Sequence, residues 1–386
     1  MSITSIDREY VAGTYGRFPV EIVSGKGSLL TGSDGKEYID MGSGIGVTCF
    51  GFQDPAWLEA VTAQLYKVQH TSNLYYTEPC ALLAKALCEK TGMKKVFFGN
   101  SGAEANECAI KVARKYSAQK KGEDYYTIIT LINSFHGRTL TTLAATGQDH
   151  FHGLFQPLTP GFIHVPANDT AALGEAVAQN KIAGIMLECV QGEGGVLPLT
   201  KDYLQYAQKL ATEQDIPLII DEVQTGNGRT GSLYAYMQFG ITPDVVSTAK
   251  GLGGGLPIGA CLMGEKVQDV LGPGDHGSTY GGNPVCAAGA LSVIKRLDDA
   301  FLAEVEKKSQ YVFSALEGAE GIEGVSGMGL MIGIKTVKPA KEIVNACIEQ
   351  GVLCLTAKDK VRLLPALNIP MEQLQKAVAI IKDACK

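Results

Sequence analysis

The sequence predicts an α/β fold, with a large domain around a mostly parallel sheet of seven strands and a smaller α+β domain. From about Glu78, short apolar runs alternate with helical stretches of ten or more residues, which is typical of βαβ units. A chain of 386 residues with 45% hydrophobic and 19% charged residues can bury a large core, which excludes a largely disordered protein. We place the large domain at residues 49–281 and build the small domain from residues 1–48 and 282–386.

The elements outside the large domain are short. Thr14–Val20 (TYGRFPV) is predicted to cross the surface of the fold or of a partner subunit. Gly25–Met41 alternates turn residues with apolar pieces, which predicts antiparallel strands with Asp34-Gly35 at a hairpin. In the tail, VSGMGLMIGI and GVLCLTA are the predicted strands, and we expect the tail to pair with the N-terminal strands.

Seven apolar runs bounded by Gly, Pro or polar residues define the strands of the large domain. The predicted strands are Lys95–Gly99, Tyr126–Ile132, Phe162–Val165, Ala183–Glu188, Ile216–Ile220, Asp244–Thr248 and Ile258–Gly264. The predicted helices are Pro79–Thr91, Ala103–Lys121, Thr170–Asn180 and Thr200–Gln214, and a further helix follows Gly282 through Leu297.

Charge and cysteine usage narrow the class of partner. The net charge of −6 is spread over both halves without a basic block, so small molecules are expected rather than nucleic acid or an anionic membrane. The ten cysteines show no C-x-x-C pair or metal-ligand spacing, which predicts reduced thiols and no metal site. There is no signal-peptide pattern and no run of roughly 18 apolar residues, so we expect a cytoplasmic protein.

The stretch Pro217–Gly255 carries the strongest chemical signal. One apolar run ends in Asp221 and a second ends just before Lys250, which places both at strand ends, where open α/β sheets bind ligands. A lysine that forms a Schiff base and a carboxylate that keeps a pyridine nitrogen protonated are what pyridoxal 5'-phosphate (PLP) requires. Taken alone, Lys250 is more often a solvated lysine and Asp221 a helix cap, but the motifs below favour the cofactor.

Two motifs follow other predicted strands. In NSGAEAN, Ser101 and Glu104 have capping-box spacing and Gly102 lets an anion approach the helix N–H groups, although an ordinary capped helix is equally consistent. In FHGRT, Phe135 could stack on a flat ring and Arg138 could hold a carboxylate. A core phenylalanine and a solvated arginine are the commoner case.

Two segments offer charged groups. ECVQGEGG places Glu188 and Glu193 beside three glycines, which suggests close packing against a ligand, with Glu193 available to pair with an arginine. Arg362 lies between an apolar strand and a proline and could face a cleft. A glycine-rich turn and an edge strand are the simpler interpretations.

Two more segments offer polar groups. Gln224 could hydrogen-bond the phenolic oxygen of a pyridine ring while Val223 packs on its face. Ser278 and Thr279 precede a Gly-Gly turn and could reach a phosphate or a carboxylate. Each is also consistent with an ordinary loop or helix cap.

As an ordered set, the motifs resemble the ornithine-type (subgroup III) PLP-dependent aminotransferases of fold type I, most closely their acetylornithine branch. The resemblance runs from about Thr14 to Ile369 and rests on NSGAEAN, FHGRT, ECVQGEGG, DEVQTGNGRTG, STAKGLGGGLPIGA, GSTYGGNP and RLLPALNI. Ornithine δ-aminotransferases usually have Trp where His136 stands. Ala103 is often Thr in relatives, a change that should cost little because the backbone is the donor; Cys189 is often Pro, and nothing explains that departure.

The resemblance implies how the cofactor would be held. Lys250 would form the covalent link to PLP and Asp221 would bind the pyridinium nitrogen. The other contacts would be Gln224 to the ring oxygen, Phe135 and Val223 to the ring faces, and Ser101, Gly102, Ala103 and the partner subunit's Thr279 to the phosphate. A homodimer with shared active sites is therefore expected.

The resemblance also implies the substrates. Arg138 and Ser278 would hold the α-carboxylate of N2-acetyl-L-ornithine, and Arg362 that of L-glutamate, with Glu193 pairing Arg362 when acetylornithine is bound. The terminal amino group would pass to 2-oxoglutarate, giving N-acetyl-L-glutamate 5-semialdehyde and L-glutamate in arginine biosynthesis. Succinyl-diaminopimelate, ornithine and 4-aminobutyrate stay open as amine donors, as does a non-catalytic PLP-binding protein. The lack of G-x-G-x-x-G argues against a nicotinamide-dependent dehydrogenase.

Overall fold

The structure is a computed structural model and describes residues 2–386. Its strands are β1 Ile22–Lys26, β2 Leu29–Gly32, β3 Glu37–Asp40, β4 Lys95–Gly99, β5 Thr127–Leu131, β6 Phe162–Val165, β7 Ile182–Leu187, β8 Val190–Gln191, β9 Leu197–Pro198, β10 Leu218–Asp221, β11 Val245–Thr248, β12 Gly259–Met263, β13 Ile322–Met328, β14 Met331–Thr336, β15 Val352–Leu353, β16 Leu355–Ala357 and β17 Lys360–Leu363.

The central sheet has seven strands in the order β4-β12-β11-β10-β7-β5-β6. Strand β12 runs antiparallel to both neighbours, and the other pairs are parallel. The structure therefore confirms the mostly parallel sheet, and each predicted strand is present with its ends shifted by at most two residues. Strand β7 is buried along its whole length, as a strand covered on both faces must be.

The helices lie between these strands and in the chain termini. They are α1 Ile3–Tyr10, the single turn α2 Ser43–Gly46, α3 Pro55–Leu65, α4 Glu78–Thr91, α5 Gly102–Lys121, α6 Leu140–Ala145, α7 Thr170–Gln179, α8 Lys201–Glu213, α9 Pro284–Arg296, α10 Asp299–Leu316, α11 Ala340–Glu349 and α12 Met371–Cys385. Local signals set their ends: Gly92 ends α4 with a left-handed φ of 76°, and Asn283 caps α9 before Pro284.

The N-terminal and C-terminal parts of the chain share a sheet. Strands β1, β2 and β3 form an antiparallel meander with Asp34-Gly35 in the predicted hairpin, and β15 pairs in parallel with β3 through Val352 and Ile39. This confirms the expected pairing of the tail with the N-terminal strands. The exact domain boundaries stay a prediction.

Both predicted tail strands are divided. VSGMGLMIGI turns at Gly329, whose φ of 58° suits glycine, so β13 and β14 form a hairpin. GVLCLTA breaks at Cys354, because β15 joins the N-terminal sheet whereas β16 joins the sheet β13-β14-β17-β16. The two halves of the run pair with strands of different sheets, and an apolar run alone does not indicate which strand each half will pair with. Within residues 2–386, all ten cysteines are free thiols and no helix is long and apolar enough to cross a membrane.

Candidate active site

The carboxyl ends of β10 and β11 open into a cavity of about 490 Å³. Asp221 is the last residue of β10, and Lys250 lies just beyond β11 in a 3-10 turn. Because the strands are parallel neighbours, both side chains reach the same edge of the sheet. The predicted site residues that line the cavity are Ser101, Gly102, Ala103, Phe135, Arg138, Asp221, Val223, Gln224 and Lys250.

Asp221 is buried, with 3% of its surface exposed, and is held by hydrogen bonds on both oxygens. Oδ2 accepts from Asn106 Nδ2 at 2.7 Å and lies 2.7 Å from His136 Nδ1, and Oδ1 accepts from the Val223 N–H at 2.9 Å. Burial lowers the pKa of His136, but the hydrogen bond and charge of Asp221 outweigh burial, so its pKa is raised overall.

Sequence reasoning assigned no role to Asn106 or His136. Both nevertheless stand inside recognised motifs. Asn106 lies about one helical turn after Gly102, on the face of α5 that meets the sheet, and His136 directly follows Phe135. A buried polar side chain on that helix face is the signal that could have pointed to Asn106.

Lys250 is strained and half-buried. Its φ of 45° lies in the left-handed region, which is costly for a residue with a side chain and is found mainly where function requires it. Burial lowers the pKa of Lys250, and the charge of Arg362 acts in the same direction against that of Glu193. A lowered pKa leaves more of the lysine neutral, as a nucleophile or base must be.

The N-terminus of α5 faces the same cavity. Ser101 caps it, because its Oγ accepts from the Glu104 N–H at 3.2 Å, and the Glu104 carboxylate reaches back to the Asn100 N–H. A Cβ on Gly102 would lie 2.6 Å from Cγ1 of Val223, so only glycine allows this close approach. The first N–H groups of the helix and its positive dipole end suit a phosphate.

Glu193 and Arg362 form an ion pair, as the sequence led us to expect. Arg362 Nη1 lies 2.5 Å from Glu193 Oε1 and 3.1 Å from Gln224 Oε1, and Gln224 Nε2 donates to the same Glu193 oxygen at 3.1 Å. Burial raises the pKa of Glu193, but the charge and hydrogen bond of Arg362 outweigh it, and the pKa is lowered overall. Gln224 is thus engaged with the pair, and its bond to a ring oxygen stays a prediction.

Glu188 is a further carboxylate on the cavity wall. Its Oε2 accepts from the Phe135 N–H at 3.0 Å, and burial raises its pKa to about 7. The sequence indicated a carboxylate beside a ligand, but not this burial, because the residues that cover Glu188 are distant in the chain.

Arg138 is an exposed residue of the cavity wall that packs against aromatic rings. Its guanidinium carbon lies 5.4 Å from the ring centroid of Phe135 and 3.7 Å from that of Phe151. Phe151 was not recognised from the sequence, because it lies in a segment without a motif.

Ser278 and Thr279 lie behind Asn100, a residue of the cavity wall that Ser278 contacts. Ser278 Oγ accepts from Asn100 Nδ2 and from the Gly281 N–H, each at 3.0 Å, and the residue lines a second pocket beside residues 70–77. Thr279 is exposed. Within one copy of the chain, neither residue lines the cavity that holds Lys250.

The cavity fits PLP by its donor set. A half-buried lysine with a lowered pKa, a carboxylate fixed as an anion and a glycine-bearing helix N-terminus match the aldehyde, the ring nitrogen and the phosphate of that cofactor. Together with the mostly parallel sheet, they define a PLP-dependent transferase of fold type I.

Sequence comparison gives the family. The profile of the family described as Aminotransferase class-III matches residues 10–385, and the chain belongs to the class-III aminotransferases, which are PLP-dependent enzymes. The chain is 54% identical to the acetylornithine aminotransferase of Haemophilus ducreyi over 381 residues, which cover 98% of this chain and 97% of that protein.

Solved structures agree with this assignment. The ornithine aminotransferase of Toxoplasma gondii matches with a TM-score of 0.95 at 30% identity, over 99% of this chain and 94% of that one. The N-acetylornithine aminotransferase of Stenotrophomonas maltophilia matches with a TM-score of 0.84 at 34% identity, over 99% of this chain and 98% of that one. The predicted fold class and cofactor are therefore confirmed.

Proposed function

We propose that the chain transfers the terminal amino group of N2-acetyl-L-ornithine to 2-oxoglutarate, giving N-acetyl-L-glutamate 5-semialdehyde and L-glutamate. The observation that carries the proposal is a pair of arginines: Arg138 at the cavity wall, and Arg362, which is neutralised by Glu193 and contacts Gln224 of the cavity wall. The name of the Haemophilus ducreyi relative supports the same substrate. We further propose that the reaction serves arginine biosynthesis in the cytoplasm.

The side chains of the cavity have separate roles in the reaction. When bound, PLP supplies a carbonyl that reacts with amines and a ring that withdraws electrons from the reacting carbon. Asp221, held by Asn106 and His136, would accept the hydrogen bond that keeps the ring nitrogen protonated. Lys250 Nζ, whose pKa burial lowers, would take the proton from the substrate carbon and deliver it to the carbon of the cofactor that is bonded to the amine.

Glu193 lets one site accept two different substrates. Glutamate carries a carboxylate at the reacting carbon, whereas acetylornithine carries only hydrogens there. Arg362 is 3% exposed, so leaving its charge unpaired would be costly. We infer that Glu193 stays on Arg362 while acetylornithine is bound and moves away when the carboxylate of glutamate takes its place. Its side chain is 29% exposed, which leaves it room to move.

The active unit that we propose is a homodimer in which the partner subunit's Thr279 reaches the phosphate. Large apolar side chains at the second pocket support this proposal, because Leu74, Tyr75 and Tyr76 have relative exposures of 86%, 70% and 107%. Such a concentration of exposed apolar surface is typical of an interface. Sedimentation equilibrium at micromolar concentration should give the mass of two chains.

The proposed function is tested by single-turnover absorbance. The PLP form is mixed separately with N-acetylornithine, ornithine, succinyl-diaminopimelate and 4-aminobutyrate, and conversion to the pyridoxamine form is followed. We expect fast conversion with N-acetylornithine and much slower conversion with ornithine and 4-aminobutyrate. If only another amine converts the enzyme, the fold assignment stands but N-acetylornithine is not the amine donor.

A further inference from the structure

We propose that Phe151 is a positioning residue that orients Arg138 for the carboxylate of the amine donor. The inference rests on the proposed function, in which Arg138 binds that carboxylate. Phe151 lies outside every motif of the site and contacts the guanidinium only through its ring.

The geometry is that of a cation over an aromatic ring. The Arg138 guanidinium carbon lies 3.7 Å from the Phe151 centroid, and the ring centroids of His150 and Phe151 are 3.8 Å apart. The Phe135 and Phe151 rings meet edge to face at 78° with centroids 6.2 Å apart, so Arg138 sits in the corner between them. Guanidinium stacking on an aromatic face is attractive and fixes the plane of the group.

The N–H groups of the Arg138 guanidinium are free to bind a ligand. Among residues 2–386, no side chain or carbonyl accepts a hydrogen bond from Arg138, and it forms no ion pair. An exposed arginine otherwise samples many rotamers, and ordering them on binding costs affinity. Because the Phe151 ring contacts the guanidinium without accepting its hydrogen bonds, the N–H groups stay available for a bidentate carboxylate.

Phe151 is itself held in place by the loop that carries Arg138. Its N–H donates to Gln148 O at 3.0 Å, and Gln148 Nε2 donates to Ser134 O at 3.0 Å. Ser134 Oγ accepts from the Gly147 N–H at 3.0 Å, and His152 Nε2 lies 2.8 Å from Thr146 O. These hydrogen bonds tie the backbone at Phe151 to the segment that carries Arg138.

The test compares Phe151→Leu, which removes the aromatic face, with Phe151→Tyr, which keeps it. Phe155→Leu is the matched control, because Phe155 lies in the same segment and is 57% exposed. The probe is N-acetyl-L-norvaline, which is N-acetylornithine without its reacting amine, and its equilibrium dissociation constant is measured on the PLP-loaded enzyme. We expect about tenfold weaker binding for Phe151→Leu and a change within about twofold for the other two variants.

Two further measurements separate positioning from general damage. N-acetylputrescine, which lacks the carboxylate, should be converted by Phe151→Leu and by the wild type with the same apparent KM. In an Arg138→Ala background, Phe151→Leu should have no further effect on N-acetylnorvaline binding. If Phe151→Leu melts well below the wild type, Phe151→Met serves instead because it retains more side-chain volume.

The outcomes distinguish the two proposals. A wild-type enzyme that does not convert N-acetylornithine overturns the proposed function. A wild type that converts it, with Phe151→Leu binding N-acetylnorvaline as tightly as Phe155→Leu does, overturns the role of Phe151 alone. If Phe151→Leu weakens the binding of N-acetylnorvaline and raises the apparent KM for N-acetylputrescine by the same factor, Phe151 has only a structural role.

Discussion

Asp221 and Arg362 are both 3% exposed charges of one site, yet the surroundings hold them in different ways. The partners of Asp221 are themselves buried, since Asn106 is 1% and His136 is 2% exposed, and they contact one oxygen at 2.7 Å each. Arg362 contacts its partners through Nη1, its Nε has no partner within residues 2–386, and the side chain of Glu193 is 29% exposed.

The difference teaches which charge is permanent and which can be exchanged. A buried carboxylate with buried partners cannot lose them without a large desolvation cost, so Asp221 keeps the same partners throughout the reaction. The partner of Arg362 can return to water at a smaller cost, so another carboxylate can replace it. A fixed charge is needed in both half-reactions, and an exchangeable one suits a site that alternates between two substrates.

The largest expected effect comes from breaking the fixed charge. Asp221→Asn should slow both half-reactions about 1,000-fold, because the ring nitrogen loses the anion that keeps it protonated and His136 loses its partner. The measurement is the single-turnover rate with N-acetylornithine and, separately, with glutamate. Asp269→Asn, which removes an exposed carboxylate paired with Lys95, should leave both rates unchanged. A loss confined to one half-reaction would contradict the picture of a permanent charge.

Breaking the exchangeable charge should give an unequal result. Glu193→Ala should slow the acetylornithine half-reaction about 30-fold, because Arg362 is then left unpaired beside an uncharged carbon. The glutamate half-reaction should change by less than about threefold, since the substrate carboxylate pairs with Arg362 there. Single-turnover rates with each amine give the two numbers, and Glu323→Ala, which removes the exposed partner of Lys335, is the control. Equal losses in the two half-reactions would contradict the exchange of Glu193 for the substrate carboxylate at Arg362.

A smaller effect should follow from weakening the support of Asp221. His136→Asn keeps an N–H donor near the position of Nδ1 but removes the positive charge, so both half-reactions should slow together by about tenfold. The pH dependence of the single-turnover rate is the sharper measurement. The variant should lose rate at a lower pH than the wild type as the pH rises, because the ring nitrogen is then less strongly held in its protonated form. Unchanged pH profiles would show that the hydrogen bonds from Asn106 and Val223 are enough to hold Asp221 without His136.

The sequence was informative where the signal is local. The seven central strands, Asp221 and Lys250 were predictable because apolar runs, turn residues and strand ends are written in neighbouring residues. The support of Asp221 was not, since Asn106 and His136 lie 115 and 85 residues away in the chain. Ser278 likewise contacts Asn100, a residue of the cavity wall, across 178 residues of the chain. Such contacts depend on how the elements pack, which no short pattern records.

The smallest effect concerns Glu222, which follows Asp221 but is buried without a cation. It accepts from the Tyr236 N–H at 2.9 Å and from the Thr225 hydroxyl, and burial raises its pKa from 4.5 to about 7. A carboxyl with a raised pKa binds its proton more tightly in the folded state, so its contribution to stability is complete below about pH 4.5 and is lost as the pH rises to about 7.

Glu222→Gln keeps the neutral form at every pH, so its stability relative to the wild type should improve between pH 5 and pH 8. The expected gain is at most about 3 kcal/mol, at roughly 1.4 kcal/mol per pKa unit. Urea unfolding at the two pH values measures it, with Glu59→Gln on the exposed side of α3 as the control. A relative stability that does not change with pH would mean that Glu222 is ionised in the folded protein, and that burial beside Asp221 does not by itself decide which carboxylates of this site carry charge.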